Sequence, residues 1–453
     1  MRILMEGDKK ILSLMRKRRF YDTEYRLMKY VLRVDTESGS WLLNTVTGQL
    51  ISLSLEEAAR LAELPSKKAD WMMPLLDASF LVPVYEDEKK DVDGFRNALR
   101  CVKKKTSIDH YVILTTTDCN ARCFYCFENG LERVDMSSET AERLTDYIVE
   151  RCEGKPVSLK WFGGEPLVGV RRIDQLCAGL KERNICYQSI MVTNGYLFDE
   201  PMMDRAVKDW HLRQVQITLD GTERIYNRIK AYVGVSGSPY QRVMGNIRGL
   251  LDRQIRVAVR LNLDRYNSED LTALSEELFH RFGARENLYV YARVIFRDDR
   301  TGKAREAKEE KRLYLLEEKL NRWLTELGIR ATDKRLPMLQ ECCCSAENLG
   351  NRVIDPQGNV FLCDSIRDAE RIGNIWSDVE DAEAIRRSLE LAVLPQCGDC
   401  PLYPGCSRLN CCLGRYCINE TTCAGKLNKA KENLAYWVRK KAKEDNEDGR
   451  MDL

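Results

Sequence analysis

Histidine is nearly absent from this chain, with three residues in 453. So small a supply excludes histidine-rich metal centres and leaves few bases that titrate near neutrality. Net charge is nearly absent too, since 72 Lys and Arg against 70 Asp and Glu leave +2, which gives no general attraction to nucleic acid. No apolar run approaches the length of a membrane span. The first twenty residues, MRILMEGDKKILSLMRKRRF, are basic but lack the apolar core and small-residue cleavage site of a secretory signal. The expected location is therefore the cytoplasm, where cysteines serve metals or redox chemistry rather than disulfides.

Cysteine, by contrast, is abundant and unevenly placed. Of the 18, three stand at 119, 123 and 126, and eleven lie between Cys342 and Cys423. Cys101, Cys152, Cys177 and Cys186 are scattered and read as small packing residues.

The length predicts two or three domains. Residues 1–85 contain YVLRVD and SWLLNTVTGQLISL, a strand and a hairpin, followed by helical stretches whose Ser54 to Glu57 spacing resembles a capping box. A charged linker or surface helix fills 86–107. From 108 to about 300 a pattern repeats: a β-rich apolar run, a polar or Gly-containing turn, then a helical stretch. Six strands, YVILTTT, VSLKWF, YQSIMVT, QVQITL, IRVAVRLNL and NLYVYARVIF, predict an α/β fold with a parallel sheet, open or closed as a partial (β/α)6 TIM-like barrel. A bridging helix region with mixed charges covers 301–340, the cysteine-rich domain 341–425, and a polar helix and tail 426–453.

Each strand ends in unusual chemistry: DCNARC, GGEP, NGY, DGT, NLD and AR. In parallel α/β barrels the C-terminal strand ends line the active site, so six polar endings on one rim outline one pocket. The first ending opens TTTDCNARCFYCFENG. Its three thiols can converge from one loop, yet a structural zinc ion normally takes four donors, and the nearest histidine, His110, opens the preceding strand. Soft thiolates suit zinc or iron-sulfur clusters, and a 4Fe-4S cube held by three cysteines keeps one iron free for another ligand.

With this spacing and an aromatic residue, Tyr125, before the last cysteine, the sequence resembles the radical S-adenosylmethionine (SAM) superfamily. The resemblance implies that Cys119, Cys123 and Cys126 hold the cluster and that SAM chelates the fourth iron. It further implies cleavage of SAM to methionine and 5'-deoxyadenosine through a radical that abstracts hydrogen from carbon. FGGEP matches the family's Gly-Gly-Glu motif. There Gly163 and Gly164 would allow close backbone approach and Glu165 would accept from the SAM amine. Thr193, Asn194, Thr218 and Asp220 would meet ribose or substrate, and Arg260, Asn262 and Arg293 would face the SAM carboxylate, ribose or substrate.

The second cysteine field resembles the SPASM domain, the C-terminal extension of radical SAM enzymes that modify peptides and proteins. Cys344, Gly358 and Cys363 fit the first part of its pattern, and Cys397, Cys400 and Cys406 the second. Asn410 then occupies the expected next position and Cys411 follows one residue later. The resemblance implies one auxiliary cluster on Cys344, Cys363, Cys411 and Cys342, and another on Cys397, Cys400, Cys406 and Cys423. Cys343, Cys412 and Cys417 stand as alternatives, and Cys-x2-Cys pairs also bind zinc. Asp364, directly after Cys363, matches the place of the catalytic base in a relative, the anaerobic sulfatase-maturing enzyme, though a surface carboxylate would read the same.

The front region is similar to the winged, small α+β recognition element (RRE) of enzymes that mature ribosomally made peptides (RiPPs), where a strand edge accepts a leader peptide. A fold-stabilising cap is the plainer reading. The whole pattern implies an oxidoreductase acting on a precursor peptide, supplied with electrons by a flavodoxin or ferredoxin, with no nucleic acid or membrane partner. Its expected product is a cysteine thioether. A carbon-carbon crosslink, formylglycine formation in a sulfatase, and an iron-sulfur electron-transfer or zinc scaffold without chemistry are the alternatives.

Overall fold

The computed structural model describes residues 1–15, 22–102, 107–126, 128–295, 307–330, 334–340, 345–366, 369–377, 379–389, 395–406 and 420–447. Its contacts divide the chain into two compact units. One takes the described residues of Met1–Lys104, Asp333–Glu347 and Glu390–Leu453, the other those of Lys105–Thr332 and Asn348–Leu389.

In the first unit, β1 (Arg2–Met5), α1 (Lys9–Met15), β2 (Glu24–Leu27), β3 (Val31–Thr36), β4 (Gly39–Asn44) and β5 (Leu50–Ser54) precede α2 (Leu55–Arg60). Strands β1-β5-β4-β3 form one antiparallel sheet. The capping box is present: the Ser54 hydroxyl accepts from the Glu57 N–H and the Glu57 carboxylate from the Ser54 N–H. Further on, β6 (Ser66–Lys67), α3 (Met73–Asp77) and β7 (Leu81–Pro83) lead to α4 (Glu88–Val102), and β6-β2-β7 form a second small sheet. The charged stretch expected as linker or surface helix is α4, and it is anchored: Val92 is fully buried, and the Arg96 guanidinium donates to the carbonyls of Tyr403 and Pro404.

The second unit alternates strand and helix as the sequence predicts: β8 (His110–Leu114), α5 (Ser138–Cys152), β9 (Val157–Phe162), α6 (Val170–Glu182), β10 (Tyr187–Thr193), α7 (Glu200–Lys208), β11 (Leu212–Leu219), α8 (Glu223–Lys230), α9 (Pro239–Asp252), β12 (Arg256–Leu263), α10 (Asp270–Phe282), β13 (Leu288–Val294) and α11 (Ala307–Glu326). All six strands pair in parallel, in sequence order from β8 to β13. Parallel pairing sets every polar strand ending on one rim. Alternation does the rest. Along β9, Val157, Leu159 and Trp161 are buried on one face, while Ser158, Lys160 and Phe162 are partly open on the other.

Beyond β8 the sheet continues with β14 (Asn351–Ile354), parallel to β8, then antiparallel β15 (Asn359–Phe361) and β16 (Gly373–Asn374). Val353 and Phe361 pack on Val112 and Leu114, with Phe162 and Ile366 beside them. This hairpin closes the β8 edge and, with α12 (Ala382–Leu389), completes the unit. The chain returns to the first unit with α13 (Glu420–Glu447), whose Ala430, Leu434 and Val438 cover Leu32 of β3 and Leu43 of β4. Among the described residues no helix is long and apolar enough to cross a membrane.

Candidate active site

The loop after β8 carries Cys119, Cys123 and Cys126, each partly exposed. Three contacts fix its course. Asp118 caps it by accepting from the Cys119 N–H at 2.8 Å, the Cys126 N–H donates to the Cys123 carbonyl at 3.1 Å, and the Arg122 guanidinium donates to the carbonyls of Cys119 and Ala121. Burial, then the charges of Glu165, Cys123 and Cys126, push the Cys119 thiol up to about 12, and burial raises Cys123 and Cys126 as well. Thiols held this high favour a bound cation as the means of deprotonation.

Among the described residues no three His, Cys, Asp or Glu side chains converge as the ligands of a single metal ion do. A cube presents a separate iron to each thiol, so its ligands stand apart. Three mutually interacting thiols on one loop fit that group.

The Gly-Gly-Glu segment lies directly behind this loop. Gly163 has a left-handed φ of 110°, and a side chain on Gly164 would strike the Asp118 carbonyl. Their lack of side chains lets Gly164 N–H donate to the Thr116 carbonyl at 3.2 Å and Glu165 N–H to the Asp118 carbonyl at 2.8 Å. The Glu165 carboxylate is fully buried. It accepts from the Thr193 hydroxyl at 2.7 Å, the Asn194 N–H at 2.8 Å and the Leu167 N–H at 3.2 Å. Burial raises its pKa against those bonds. Asn194 reaches back, donating to the Asn120 side chain at 2.7 Å.

A second buried knot ties Tyr125 to the ends of β11 and β12. The Tyr125 hydroxyl donates to Asp220 Oδ1 at 2.7 Å and accepts from Asn262 at 2.9 Å and Lys230 Nζ at 3.1 Å. Lys230 also donates to the Thr218 hydroxyl at 2.6 Å and pairs with Asp220 Oδ2 at 3.2 Å. Burial pulls the lysine pKa down, but the charges of Asp220 and Cys123 outweigh it and hold it well above its usual value. Asn267 clamps the backbone beneath by donating to the carbonyls of Asp220 and Asn262, both at 2.7 Å.

Of the residues singled out in the sequence, the structure thus gathers Cys119, Cys123, Tyr125, Cys126, Gly163, Gly164, Glu165, Thr193, Asn194, Thr218, Asp220 and Asn262 around one loop. Arg260 is two residues before Asn262 on the same face of β12, with its Nε buried and without a hydrogen-bond partner among the described residues. Arg293, opposite Asn262 in the register, is instead paired with Glu317 of α11 at 2.9 Å. Asp364 accepts from Lys160 Nζ at 2.8 Å, and the hairpin on β8 brings it beside the cysteine loop. Burial, then the Asp364 charge, raises the Glu128 carboxyl to about 7.

The cysteine field is divided. Cys363 belongs to the second unit, where its sulfur accepts from the Ser365 N–H at 3.4 Å. Cys397, Cys400, Cys406 and Cys423 belong to the first unit. There burial raises the Cys400 thiol, with the charges of Cys406 and Cys423 adding to it, and Lys426 Nζ lies 3.7 Å from the Cys406 sulfur. Cys342, Cys344 and Cys411 lie outside the described residues, as do Cys343, Cys412 and Cys417.

Sequence reasoning missed Lys230, Glu128, Lys160 and Asn267. Lys230 left a signal: in α8 it follows Ile225, Tyr226 and Ile229 on the buried face, where a lysine is out of place. The other three carry no pattern that distinguishes them from surface residues.

Residues 110–244 match the family of 4Fe-4S single cluster domains, a span that takes in all three loop cysteines. A GTP 3',8-cyclase of Peptoclostridium acidaminophilum is 29% identical over 177 residues, 34% of this chain and 52% of the cyclase. The radical SAM cyclopropyl synthase TigE of Paramaledivibacter caminithermalis is 26% identical over 146 residues, 26% of this chain and 31% of the synthase. The chain spans about half or less of the length of these curated relatives. Among solved structures, anSMEcpe with bound AdoMet aligns at a TM-score of 0.57 with 15% identity, covering 73% of this chain and 98% of that one. Streptococcus suis SuiB bound to S-adenosylmethionine aligns at 0.51 with 15% identity, covering 88% and 98%.

Loop, strand order and match together place a segment similar to 4Fe-4S single cluster domains within an α/β fold. More narrowly, the likeness to the radical SAM superfamily read from the cysteine spacing is borne out in both sequence and fold.

Proposed function

We propose that the protein is a radical SAM maturase of a ribosomally made peptide, forming an intramolecular thioether between a cysteine sulfur and a carbon of the same peptide. The observation that carries the reading is the convergence at one rim of a three-thiol loop, the buried Glu165 and Lys230 knots, and Asp364 on the added hairpin. When bound, a 4Fe-4S cluster with SAM on its fourth iron supplies a one-electron cleavage and a radical able to take hydrogen from unactivated carbon.

This chain's residues do the holding. Cys119, Cys123 and Cys126 ligate the cluster. The buried cation of Lys230, with the Thr218 hydroxyl 2.6 Å away, is suited to the SAM carboxylate, and Arg260 and Asn262 face the same side of the sheet. Asp364, held by Lys160, takes the proton of the substrate thiol. Thioether formation then balances: one hydrogen leaves the carbon, one proton leaves the sulfur, and one electron is left over, which a cluster held by the second cysteine field would be able to accept. Cys363, with Cys342, Cys344 and Cys411, forms one auxiliary site, and Cys397, Cys400, Cys406 and Cys423 form the other.

Peptides appear in complexes of the structural neighbours. One anSMEcpe structure holds a Cp18Cys peptide and one SuiB structure the precursor peptide SuiA. In this chain the front sheet, an RRE-like element ending in the half-exposed β1, holds a leader as an added strand. A carbon-carbon crosslink is the second reading, since the same hydrogen abstraction precedes it.

The test is direct. Anaerobically reconstituted protein given SAM and dithionite should release 5'-deoxyadenosine, and Cys123→Ala should abolish the release. A short cysteine-containing peptide encoded beside the gene should lose two hydrogens per crosslink by mass spectrometry. Intact cluster with no 5'-deoxyadenosine would leave a scaffold or electron-transfer protein.

A further inference from the structure

The reading above gives Arg260 a face of the sheet but no partner. Along β12, Val257, Val259, Leu261 and Leu263 are buried on one face, and Arg260 stands on the other with Asn262. In the register Arg260 lies between Thr218 of β11 and Tyr291 of β13, and all three side chains are half-buried. Lys160 of β9, Val192 of β10 and Gln216 of β11 are likewise partly open. One continuous face therefore runs from the strand that holds Asp364 to the guanidinium of Arg260.

The surroundings of that guanidinium suit an anion. Its Nε is buried and has no hydrogen-bond partner among the described residues. The carboxylates at the neighbouring strand ends are engaged: Asp220 pairs with Lys230 at 3.2 Å, and Glu317 with Arg293 at 2.9 Å. Tyr291 is engaged as well, since its hydroxyl donates to Gln216 Oε1 at 2.9 Å. Burial raises the Tyr291 pKa and the charges of Arg260 and Arg293 oppose the rise, which sets both cations close to that ring. Tyr289 stacks on it at 5.4 Å and stiffens this wall. A guanidinium partly withdrawn from water without a counter-charge is costly, and a carboxylate gripped through two parallel bonds offsets that cost.

We propose that Arg260 is a specificity residue that takes the carboxylate of an Asp or Glu side chain of the precursor peptide, between Thr218 and the Tyr291 ring. The inference rests on the peptide-maturase reading above and names a feature of its substrate. SAM has a cation of its own in Lys230, buried against Thr218 and Asp220, so Arg260 is left for the second ligand. Lys160, which holds Asp364, is on β9, and β12 lies three strand spacings of about 4.8 Å away. The acid and the reacting cysteine are therefore separate residues of the peptide and not immediate neighbours. Arg260 makes and breaks no covalent bond; it fixes how the peptide crosses the face.

The experiment measures binding to the full-length reconstituted protein with SAM present. The probe is the cysteine-containing peptide encoded beside the gene, dye-labelled for fluorescence anisotropy, together with variants in which each Asp or Glu in turn becomes Asn or Gln. On wild type, one such replacement should raise the Kd about tenfold. Arg260→Gln should raise the Kd of the parent peptide by a similar factor, and the two losses should not add. Arg260→Lys should fall between the two, because a lysine cannot reproduce the paired bonds. Arg260→Glu should regain affinity for the peptide whose critical acid is replaced by Lys, a gain that a misfolded variant could not produce. Amide variants that bind like the parent, or losses that add in full, would overturn the proposal. So would an Arg260→Gln protein that loses SAM affinity and keeps its peptide affinity, which would give the guanidinium to SAM. A peptide bound through Arg260 that never loses two hydrogens rejects the thioether reading and upholds this inference. One crosslinked equally well by wild type and Arg260→Gln does the reverse.

Discussion

At the scale of single residues, the site depends on side chains that are missing or buried. Gly164 is glycine because the Asp118 carbonyl occupies the place of a Cβ, so Gly164→Ala must push the cysteine loop outward. An overpacked contact of this kind costs about 1–3 kcal/mol. The expected result is a folded protein by circular dichroism with a clearly reduced iron content after reconstitution. Lys230 and Asp220 form an ion pair in which both side chains are almost wholly buried. Lys230→Met alone leaves the carboxylate uncompensated and should cost about 3–5 kcal/mol in urea denaturation, whereas the double variant with Asp220→Asn should recover much of the loss. The glycines and Glu165 were legible as a motif because their chemistry is written in consecutive letters. Lys230 was not singled out, since its role depends on Tyr125 from a loop about a hundred residues earlier, and the pairing of Arg293 with Glu317 was not legible because nothing local announces it.

At the scale of elements, alternation made the six parallel strands readable, and their parallel order follows from the intervening helices. The short strands β1, β2, β6 and β7 had no such signal. Two to four residues are too few to show a period. The hairpin on β8 shows what sequence conceals. Arg352 of β14 grips Glu380 with two bonds of 2.7 Å, and the Tyr147 hydroxyl of α5 adds a third at 2.9 Å. Burial raises the Glu380 pKa, but the Arg352 guanidinium and Tyr147 outweigh it and hold it below the usual carboxyl value. A carboxyl depressed in the folded state contributes stability above its unfolded pKa of about 4.3, and loses it as pH falls through the folded value. Glu380→Gln should therefore cost on the order of 2–3 kcal/mol at neutral pH. Urea denaturation of wild type and variant should show that gap shrinking at acid pH; a gap independent of pH would contradict the assignment.

At the scale of the whole molecule, the sequence shows two cysteine clusters, and the fold distributes them differently. Cys363 and Asp364 join the strand-rich unit through the β8 hairpin, while Cys397, Cys400 and Cys406 join the front domain. Tyr403, inside that second group, stacks on Tyr30 at 5.6 Å and donates to Asp93 at 2.6 Å, and Tyr30 donates to the Gly398 carbonyl at 2.8 Å. Cysteine spacing reveals ligands but not the partners on which their loops pack, because those partners are ordinary tyrosines far away in the chain. A consequence follows for stability. Tyr403→Ala removes a buried ring and its contacts, about 3–5 kcal/mol, and should lower the melting temperature of the front domain while the strand-rich unit, followed by hydrogen exchange, stays protected.

The most direct test of the central claim uses protein whose cysteines from 342 to 423 are replaced by alanine, leaving the loop triad alone to bind iron. Electron paramagnetic resonance of this variant, reduced anaerobically, should show one 4Fe-4S cluster whose signal changes when SAM is added. No cluster, or a signal indifferent to SAM, would contradict the account.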